Sequence, residues 1–187
     1  MTGVQTCALP ISNLAATTIQ GFGGPQTGKG FDGADAWTQA ANGTVATVAR
    51  MDGTRARRDA DFYAPLNLAR LYQTLTFVGP DKVGERNAWV LRGTSPNENP
   101  ETLYFDAQSG LLLRKSVYNT TPAGKYIINM DFEDYRDVAG VKLPFLIRTL
   151  SVSPADTQIV RVEKVESNPA IDAAKLAKPA SRPAAGR

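Results

Sequence analysis

The sequence contains no histidine and a single cysteine, and these two shortages exclude most kinds of side-chain catalysis. Without histidine the chain can form no His-ligated zinc or haem site and no Ser-His or Cys-His catalytic pair. The single cysteine, Cys7, allows no disulfide within the chain, so the fold depends on burial of apolar side chains. We therefore expect a domain that is not an enzyme and that carries no cofactor and no metal.

Long apolar runs and a basic face are also missing. No run approaches the roughly 18 apolar residues that a membrane-spanning helix needs, so we predict a protein that does not span a membrane. The net charge of +3 comes entirely from the tail after Ser167, where four basic residues outnumber Asp172. The remaining chain is neutral, and a clustered basic surface for nucleic acid is therefore not predicted.

The first residues stand apart from the rest. Residues 1–11, MTGVQTCALPI, resemble a translated sequencing adapter joined to a gene fragment. We expect residues 1–12 to be artefactual or disordered, residues 13–178 to form a single domain, and residues 179–187, rich in Ala, Pro and Arg, to be a disordered tail. On this interpretation the domain is N-terminally truncated, and an export signal or a covalently attached upstream domain has been lost with the upstream sequence.

From Thr74 onward, short strand-like segments alternate with turn signals such as Gly79-Pro80, Ser109-Gly110 and Ala139-Gly140. This spacing predicts an antiparallel meander rather than βαβ units. Before it, Gly23–Gly33 is predicted to form a turn, and Asn42-Gly43 predicts a hairpin.

Helical patterns are short. Two short helices are predicted, over Gly53–Asp61 and over Pro65–Gln73. A third short helix is expected around Asp172–Leu176. The predicted fold class is therefore β-rich α+β, an antiparallel curved sheet or half-open β-barrel with two or three short helices.

One face of the predicted sheet is continuous and apolar. Alternation is clearest over residues 126–133 and again over residues 141–147, where apolar side chains share one parity. Such a face must be covered by helices, curl on itself or hold an apolar ligand. The residues predicted to line an apolar cavity are Tyr126, Ile128, Met130, Phe132, Leu143, Phe145 and Ile147. Four more aromatic residues are compatible with either core or cavity: Trp37, Trp89, Tyr104 and Phe105.

Two further sequence patterns are better explained by structural roles than by ligand binding or catalysis. Gly23–Lys29 has the spacing of a phosphate-binding loop, but Gly30 replaces the hydroxyl residue that would contact magnesium and no amphipathic helix follows, which favours a hairpin loop. The carboxylates of Asp131, Glu133, Asp134 and Asp137 could form an acid–base pair or a calcium site. Their parity favours a solvated face with a turn cap, so a glycosidase with two inward-facing carboxylates is disfavoured.

The segment from Leu103 to Phe145 has a family resemblance. LYFDAQSGLLLR (103–114) and FEDYRDVAGVKLPF (132–145) resemble the outer-membrane lipoprotein-sorting (LolA/LolB-like) family, in which a Gly-ended turn and an Asp-Tyr-Arg turn precede a Gly-x-x-Leu-Pro strand. The likeness extends over about Thr74–Asn168. Gly110 and Gly140 can take the positive φ that such turns need. Pro144 cannot donate to a strand ladder, so we expect it at a sheet edge or bulge.

The resemblance implies a half-open antiparallel barrel, closed by helices, whose apolar cavity shields lipoprotein acyl chains. The first hypothesis is therefore a periplasmic or otherwise exported carrier-like domain whose partner is a lipoprotein acyl chain or another lipid. Similar domains are also appended to larger bacterial proteins, including multihaem cytochrome subunits and insulinase-like peptidases. The alternative is thus a structural or interaction domain of a larger exported protein, with its barrel filled by its own side chains.

Overall fold

The computed structural model describes residues 4–8, 15–20, 26–48, 58, 67–95, 99–121, 124–152, 157–165 and 177–180. They belong to two compact units, one covering residues 68–167 and the other residues 2–67 with 168–187. The first unit contains helix α1 (Leu68–Leu71) and the strands β6 (Thr74–Val83), β7 (Arg86–Thr94), β8 (Glu101–Asp106), β9 (Leu112–Thr121), β10 (Gly124–Val138), β11 (Val141–Leu150) and β12 (Gln158–Arg161). The second contains β1 (Val4–Ala8), β2 (Ala15–Gln20), β3 (Gln26–Phe31), β4 (Ala36–Gln39) and β5 (Val45–Thr47).

The larger sheet has seven strands in the order β12-β11-β10-β9-β8-β7-β6. Each strand pairs antiparallel with its neighbour in sequence. The predicted antiparallel meander is therefore confirmed. Among the described strands β6 and β12 form the two edges, so the sheet is open rather than a closed barrel.

The turns between these strands follow the predicted residues at two places. Gly110 (φ 71°) lies between β8 and β9, and Gly140 (φ 83°) lies between β10 and β11. Both occupy the left-handed region that glycine reaches without steric cost. The carboxylate of Asp137 accepts a hydrogen bond of 2.9 Å from the amide of Gly140, which is the turn cap expected from the sequence.

The turn predicted at Gly79-Pro80 was wrong. Both residues lie inside β6, and the chain reverses later, at Gly84-Glu85. The register shifts between Phe77 and Gly79, which marks a β-bulge, and Gly79 has a φ of 135°. A bulge needs the same special backbone geometry as a turn, so the sequence signal was genuine but its structural meaning was different.

The turn predicted over Gly23–Gly33 was also wrong for its central part, because Gln26–Phe31 forms β3 between β2 and β4. A Cβ atom on Gly28 would lie 3.3 Å from the ring of Trp37. Glycine at this position therefore leaves room for a buried tryptophan on the neighbouring strand. Gly28 and Lys29 lie within a strand rather than ahead of a helix, which is not the geometry of a phosphate-binding loop.

The predicted helices are described in part, and the N-terminal residues that were expected to be disordered include a strand. Leu68–Leu71 is helical, within the predicted Pro65–Gln73. Of Gly53–Asp61 only Arg58 is described, and it is helical and buried; Asp172–Leu176 lies outside the described residues. Val4–Ala8, where we expected no ordered structure, forms β1 and pairs with β2. The expected tail lies outside the described residues from 181 onward.

Each unit has its own buried apolar residues. In the five-stranded unit Phe31 and Ala36 pack together with the partly buried Val48. In the seven-stranded unit the buried apolar side chains are Tyr72, Ala88, Val90, Leu103, Leu113, Val117, Phe145 and Leu146.

Candidate functional site

The strand register places the seven predicted cavity residues on one face of the larger sheet. Ile128 lies opposite Val117, and Phe132 lies opposite Ile147. Partners in an antiparallel ladder point to the same side, and residues two apart in a strand share that side. This side, called the apolar face below, therefore carries Tyr126, Ile128, Met130 and Phe132 of β10 and Leu143, Phe145 and Ile147 of β11. Phe145 is buried and the other six are half-buried.

The apolar face continues onto the neighbouring strands, where it carries one buried charged cluster. Met130 lies opposite Lys115 of β9, and Lys115 lies opposite Leu103 of β8. The ammonium of Lys115 is 3.1 Å from the carboxylate of Glu101, which is only 1% exposed. A buried charge is tolerated when it is paired and hydrogen-bonded, and this carboxylate meets both conditions.

Tyr72, just after α1, supplies a further hydrogen bond to this cluster. Its hydroxyl donates to Glu101 over 2.8 Å. Its ring covers Gly93 so closely that a Cβ atom on that glycine would lie 2.4 Å from a ring carbon. The chain after α1 is therefore held against the apolar face at β7 and β8 by a hydrogen bond and by a close ring contact.

The Asp-Tyr-Arg segment is a kink within β10, and not the turn that was predicted. Strand β10 continues to Val138, while Asp134 has a φ of 52°. The side chain of Arg136 donates to the Asp134 carboxylate over 2.6 and 3.1 Å, which lowers the pKa of that carboxyl. The Arg136 guanidinium also lies 4.4 Å from the ring centroid of Phe145, in a cation–π contact at the end of the apolar face.

Pro144 lies where the sequence predicted. It is in β11, opposite Tyr135 of β10. On its other side β12 pairs with β11 only from Leu146 to Thr149. At Pro144, β11 is therefore locally an edge among the described strands.

A groove of about 500 Å³ crosses the opposite face of the sheet. This polar groove is lined by residues of β6 to β10: Val78, Gly79, Pro80, Asp81, Val90, Arg92, Thr102, Tyr104, Arg114, Ser116, Val117, Tyr118, Ile127 and Asn129. None of the seven predicted cavity residues is among them, although Val117 lies opposite Ile128 and its side chain therefore belongs to the apolar face. The sequence analysis missed this groove, although the polar parity of β9 and β10 was the signal that could have indicated it.

Among the described residues, the polar groove contains paired groups and a cation that has no partner. Arg114 donates two hydrogen bonds to Asp131, of 2.5 and 2.7 Å, and this contact raises the pKa of Arg114. Ser116 donates to the side-chain oxygen of Asn129 over 2.7 Å. Arg92 is exposed and makes no hydrogen bond or ion pair with any residue that the structure describes.

The acidic residues of β10 follow the predicted solvated face only in part. Glu133 is 42% exposed and pairs with Arg148 over 3.1 Å. Asp131, in contrast, is half-buried in its pair with Arg114. The part of the chain that the structure describes contains no group of three His, Cys, Asp or Glu residues placed to hold a metal ion.

The four aromatic residues left open by the sequence have different environments. Trp37 is buried in the five-stranded unit, whereas Trp89 is 48% exposed and contacts the ring of Phe77 with centroids 6.0 Å apart. Tyr104 lines the polar groove and Phe105 is half-buried. Within the larger sheet, the register places Tyr104 on the opposite side from Trp89 and Phe105.

Comparison with known proteins identifies the fold. No family model matches the sequence, and no curated protein matches it. Among solved structures, a LolA superfamily protein from Nitrosomonas europaea is similar with a TM-score of 0.55 at 11% identity, covering 88% of this chain and 79% of that one. An outer membrane lipoprotein-sorting protein domain from Vibrio parahaemolyticus has a TM-score of 0.41 at 14% identity, covering 73% of this chain and 68% of that one. A DUF1329 family protein from Desulfovibrio piger has a TM-score of 0.48 at 14% identity, covering 83% of this chain and 73% of that one.

The first of these likenesses confirms, at the level of the fold, the resemblance that the sequence indicated. The chain has a LolA-like fold, built on an open antiparallel sheet. In the described residues no helix combines the length and the apolar character required to cross a bilayer.

Proposed function

We propose that this protein is a non-catalytic, carrier-like domain that holds a lipoprotein acyl chain or another lipid against the apolar face, in the periplasm or another exported location. The observation that carries the proposal is the alignment of seven apolar side chains on β10 and β11, of which only Phe145 is buried. The other six retain exposed surface that a ligand could cover. The LolA-like fold supports the same assignment.

The energetics of such a site are favourable. Each buried methylene contributes about 0.8 kcal/mol, so an acyl chain of about 14 carbons gains roughly 10 kcal/mol before the costs of association. No directed polar contact is needed for this gain, since the hydrophobic effect is not directional. A carrier that binds by apolar contact alone can accept related chains and release them.

Adjacent isoleucines on β10 provide a matched test. Ile128 belongs to the apolar face and lies opposite Val117, while Ile127 belongs to the opposite face and lies opposite Tyr118. Binding of a fluorescent fatty acid is measured by titration of the full chain and of the variants Ile128→Asp and Ile127→Asp. We expect saturable binding to the apolar face that Ile128→Asp weakens at least tenfold, because it places a charge among the acyl carbons.

The Ile127→Asp variant should retain that binding, because its charge lies on the other side of the sheet. Circular dichroism spectra of both variants establish that the sheet is intact. Absence of saturable binding by the parent chain would refute the proposal, as would unchanged binding in the Ile128→Asp variant.

A second candidate function, a structural or interaction domain within a larger exported protein, is supported by the contacts around Tyr72. Its ring lies on Gly93 and its hydroxyl bonds to Glu101, which supports filling of the apolar face at these two residues by the chain's own side chains. If the β10 part is filled in the same way, Met130→Ala should cost about 2–5 kcal/mol of stability, as in a packed core. If that part is open to a ligand, the same change should cost much less in the free protein and should weaken lipid binding.

A further inference from the structure

The polar groove lies outside the apolar face, so the proposed acyl site makes no use of it. Residues of five consecutive strands line it, and its volume of about 500 Å³ falls within the range of sites for small ligands. The ladder register orders its residues into rows across the sheet. One row contains Arg92, Thr102, Ser116 and Asn129, and the next contains Val90, Tyr104, Arg114 and Asp131.

Positive charge is concentrated over β8. Thr102 and Tyr104 present hydroxyl groups to the groove, and Arg92 and Arg114 flank them on β7 and β9. Arg114 uses two N–H groups for Asp131, and a guanidinium has five. Arg92 retains all of its donors with respect to the described residues. Arg114 is therefore paired with Asp131, whereas the guanidinium of Arg92 has no counter-charge among the described residues and lies beside the hydroxyl of Thr102.

An apolar surface begins one row further along the strands. Tyr118 and Ile127 lie opposite each other on β9 and β10, and they are 39% and 47% exposed. They are two and three strands away from Arg92, or about 10–15 Å at the spacing of neighbouring strands. Asp81 lines the groove on β6, where its carboxylate opposes an anion. The groove is therefore polarised, with a cationic centre between an acidic edge and an apolar end.

We propose that the polar groove binds a small amphiphile with a carboxylate head group. The carboxylate lies over β8, where the guanidinium of Arg92 forms the charge-assisted pair and the hydroxyls of Thr102 and Tyr104 donate to it. The apolar portion extends over Tyr118 and Ile127. The guanidinium of Arg92, which has no partner among the described residues, can pair with a monoanion, and its planar fork matches a carboxylate. This site is distinct from the apolar face and stands whether or not that face binds lipid.

Isothermal titration of the full chain with decanoate and with decanol tests the proposal. The variants are Arg92→Gln, Arg92→Lys, Ile127→Asp and Ile128→Asp, all checked for an intact sheet by circular dichroism. We expect Arg92→Gln to weaken decanoate binding in the groove by about tenfold or more, the size typical of a lost charge-assisted hydrogen bond. Arg92→Lys, which keeps the charge but lacks the fork, should lose less, and decanol should not respond to either change.

The two isoleucines separate the two sites. Ile127→Asp should remove the groove component of decanoate binding, and Ile128→Asp should leave that component unchanged. If decanoate binds at one site that needs Arg92 and Ile127 but tolerates Ile128→Asp, the groove is established and the acyl site on the apolar face is not. If neither Arg92→Gln nor Ile127→Asp changes decanoate binding, or if decanol responds to Arg92→Gln as decanoate does, the groove proposal is wrong.

Discussion

The two faces of the seven-stranded sheet differ in how deeply their charged side chains are buried. On the apolar face, Glu101 is 1% exposed and is held by Lys115 and Tyr72. On the opposite face, Glu133 and Arg148 form a pair in which both side chains are more than 40% exposed. Each pair joins two neighbouring strands of the same sheet, so the difference comes from what surrounds each pair. Water screens the second pair and is excluded from the first, and therefore only the first should matter greatly for stability.

The largest effect should come from breaking the buried pair. Glu101→Gln keeps the size of the side chain and one acceptor oxygen, but it removes the negative charge beside the Lys115 ammonium. We expect the free energy of unfolding to fall by about 3–5 kcal/mol, the usual cost of removing one partner of a buried ion pair. The measurement is urea unfolding followed by circular dichroism.

Glu133→Gln is the matched control on the opposite face. It makes the same chemical change in an exposed pair, and it should cost less than about 1 kcal/mol. Similar costs for the two variants would mean that the two faces do not differ in the way that their exposure indicates.

A smaller loss is expected at the contact between Gly93 and Tyr72. Gly93→Ala adds a single methyl group, which would lie 2.4 Å from the tyrosine ring, so the ring must move and its hydrogen bond to Glu101 must stretch. Overpacking of this kind costs about 1–3 kcal/mol. Urea unfolding of Gly93→Ala measures it.

The double-mutant cycle with Tyr72→Leu identifies the cause of that loss. With the ring removed, the alanine methyl group has space, and Gly93→Ala should then cost much less than in the parent chain. An equal cost in both backgrounds would locate the damage in the strand itself rather than in the contact with Tyr72.

On the polar face, Asp131→Asn should have a modest effect on stability and a clear effect on binding. It removes the carboxylate that occupies two donors of Arg114, at a cost of about 1 kcal/mol for a partly exposed pair. It also releases the Arg114 guanidinium toward the polar groove. Titration should then show tighter decanoate binding in the groove, whereas unchanged or weaker binding would argue against a carboxylate head group near Arg114.

The sequence predicted the features of the larger sheet that depend on local pattern. The period of two from Tyr126 to Phe132 assigned the apolar face correctly, since side-chain direction in a strand follows from position alone. The turns at Gly110 and Gly140 and the location of Pro144 followed from the conformations these residues allow. The resemblance carried by Leu103–Phe145 then indicated the LolA-like fold that the structural comparison confirms.

Features that depend on distant partners were not predictable in this way. Gly28 suggested a turn, but its role is to make room for Trp37 on another strand. Gly79 also suggested a turn, and it forms a bulge because β7 continues to pair beyond it. The polar groove depends on five strands together, and the pairing of Glu101 with Lys115 and Tyr72 depends on where the chain after α1 meets the sheet. The periodicity of a single segment does not predict any of these contacts between distant residues.

The turn between β8 and β9, within the segment that carries the family resemblance, should make the free energy of unfolding depend on pH. Asp106 is 6% exposed. Its carboxylate accepts hydrogen bonds from the Ser109 hydroxyl over 2.8 Å and from the Gln108 amide over 3.2 Å, and it also pairs with Arg86. These contacts hold the pKa of Asp106 below its usual value of 3.8, and the hydrogen bond from the Ser109 hydroxyl has the largest effect.

Because the folded-state pKa lies below the unfolded one, Asp106 stabilises the fold fully above about pH 4 and loses this contribution as pH falls through the folded-state pKa. Urea unfolding between pH 6 and pH 2 should therefore show a loss of stability in acid that is smaller in Asp106→Asn. Ser109→Ala should reduce this acid loss in the same direction but to a lesser degree, because it removes one of the contacts that favour the charged form. If Asp106→Asn follows the parent curve at every pH, the carboxylate does not couple protonation to folding, and the turn depends on its backbone bonds alone.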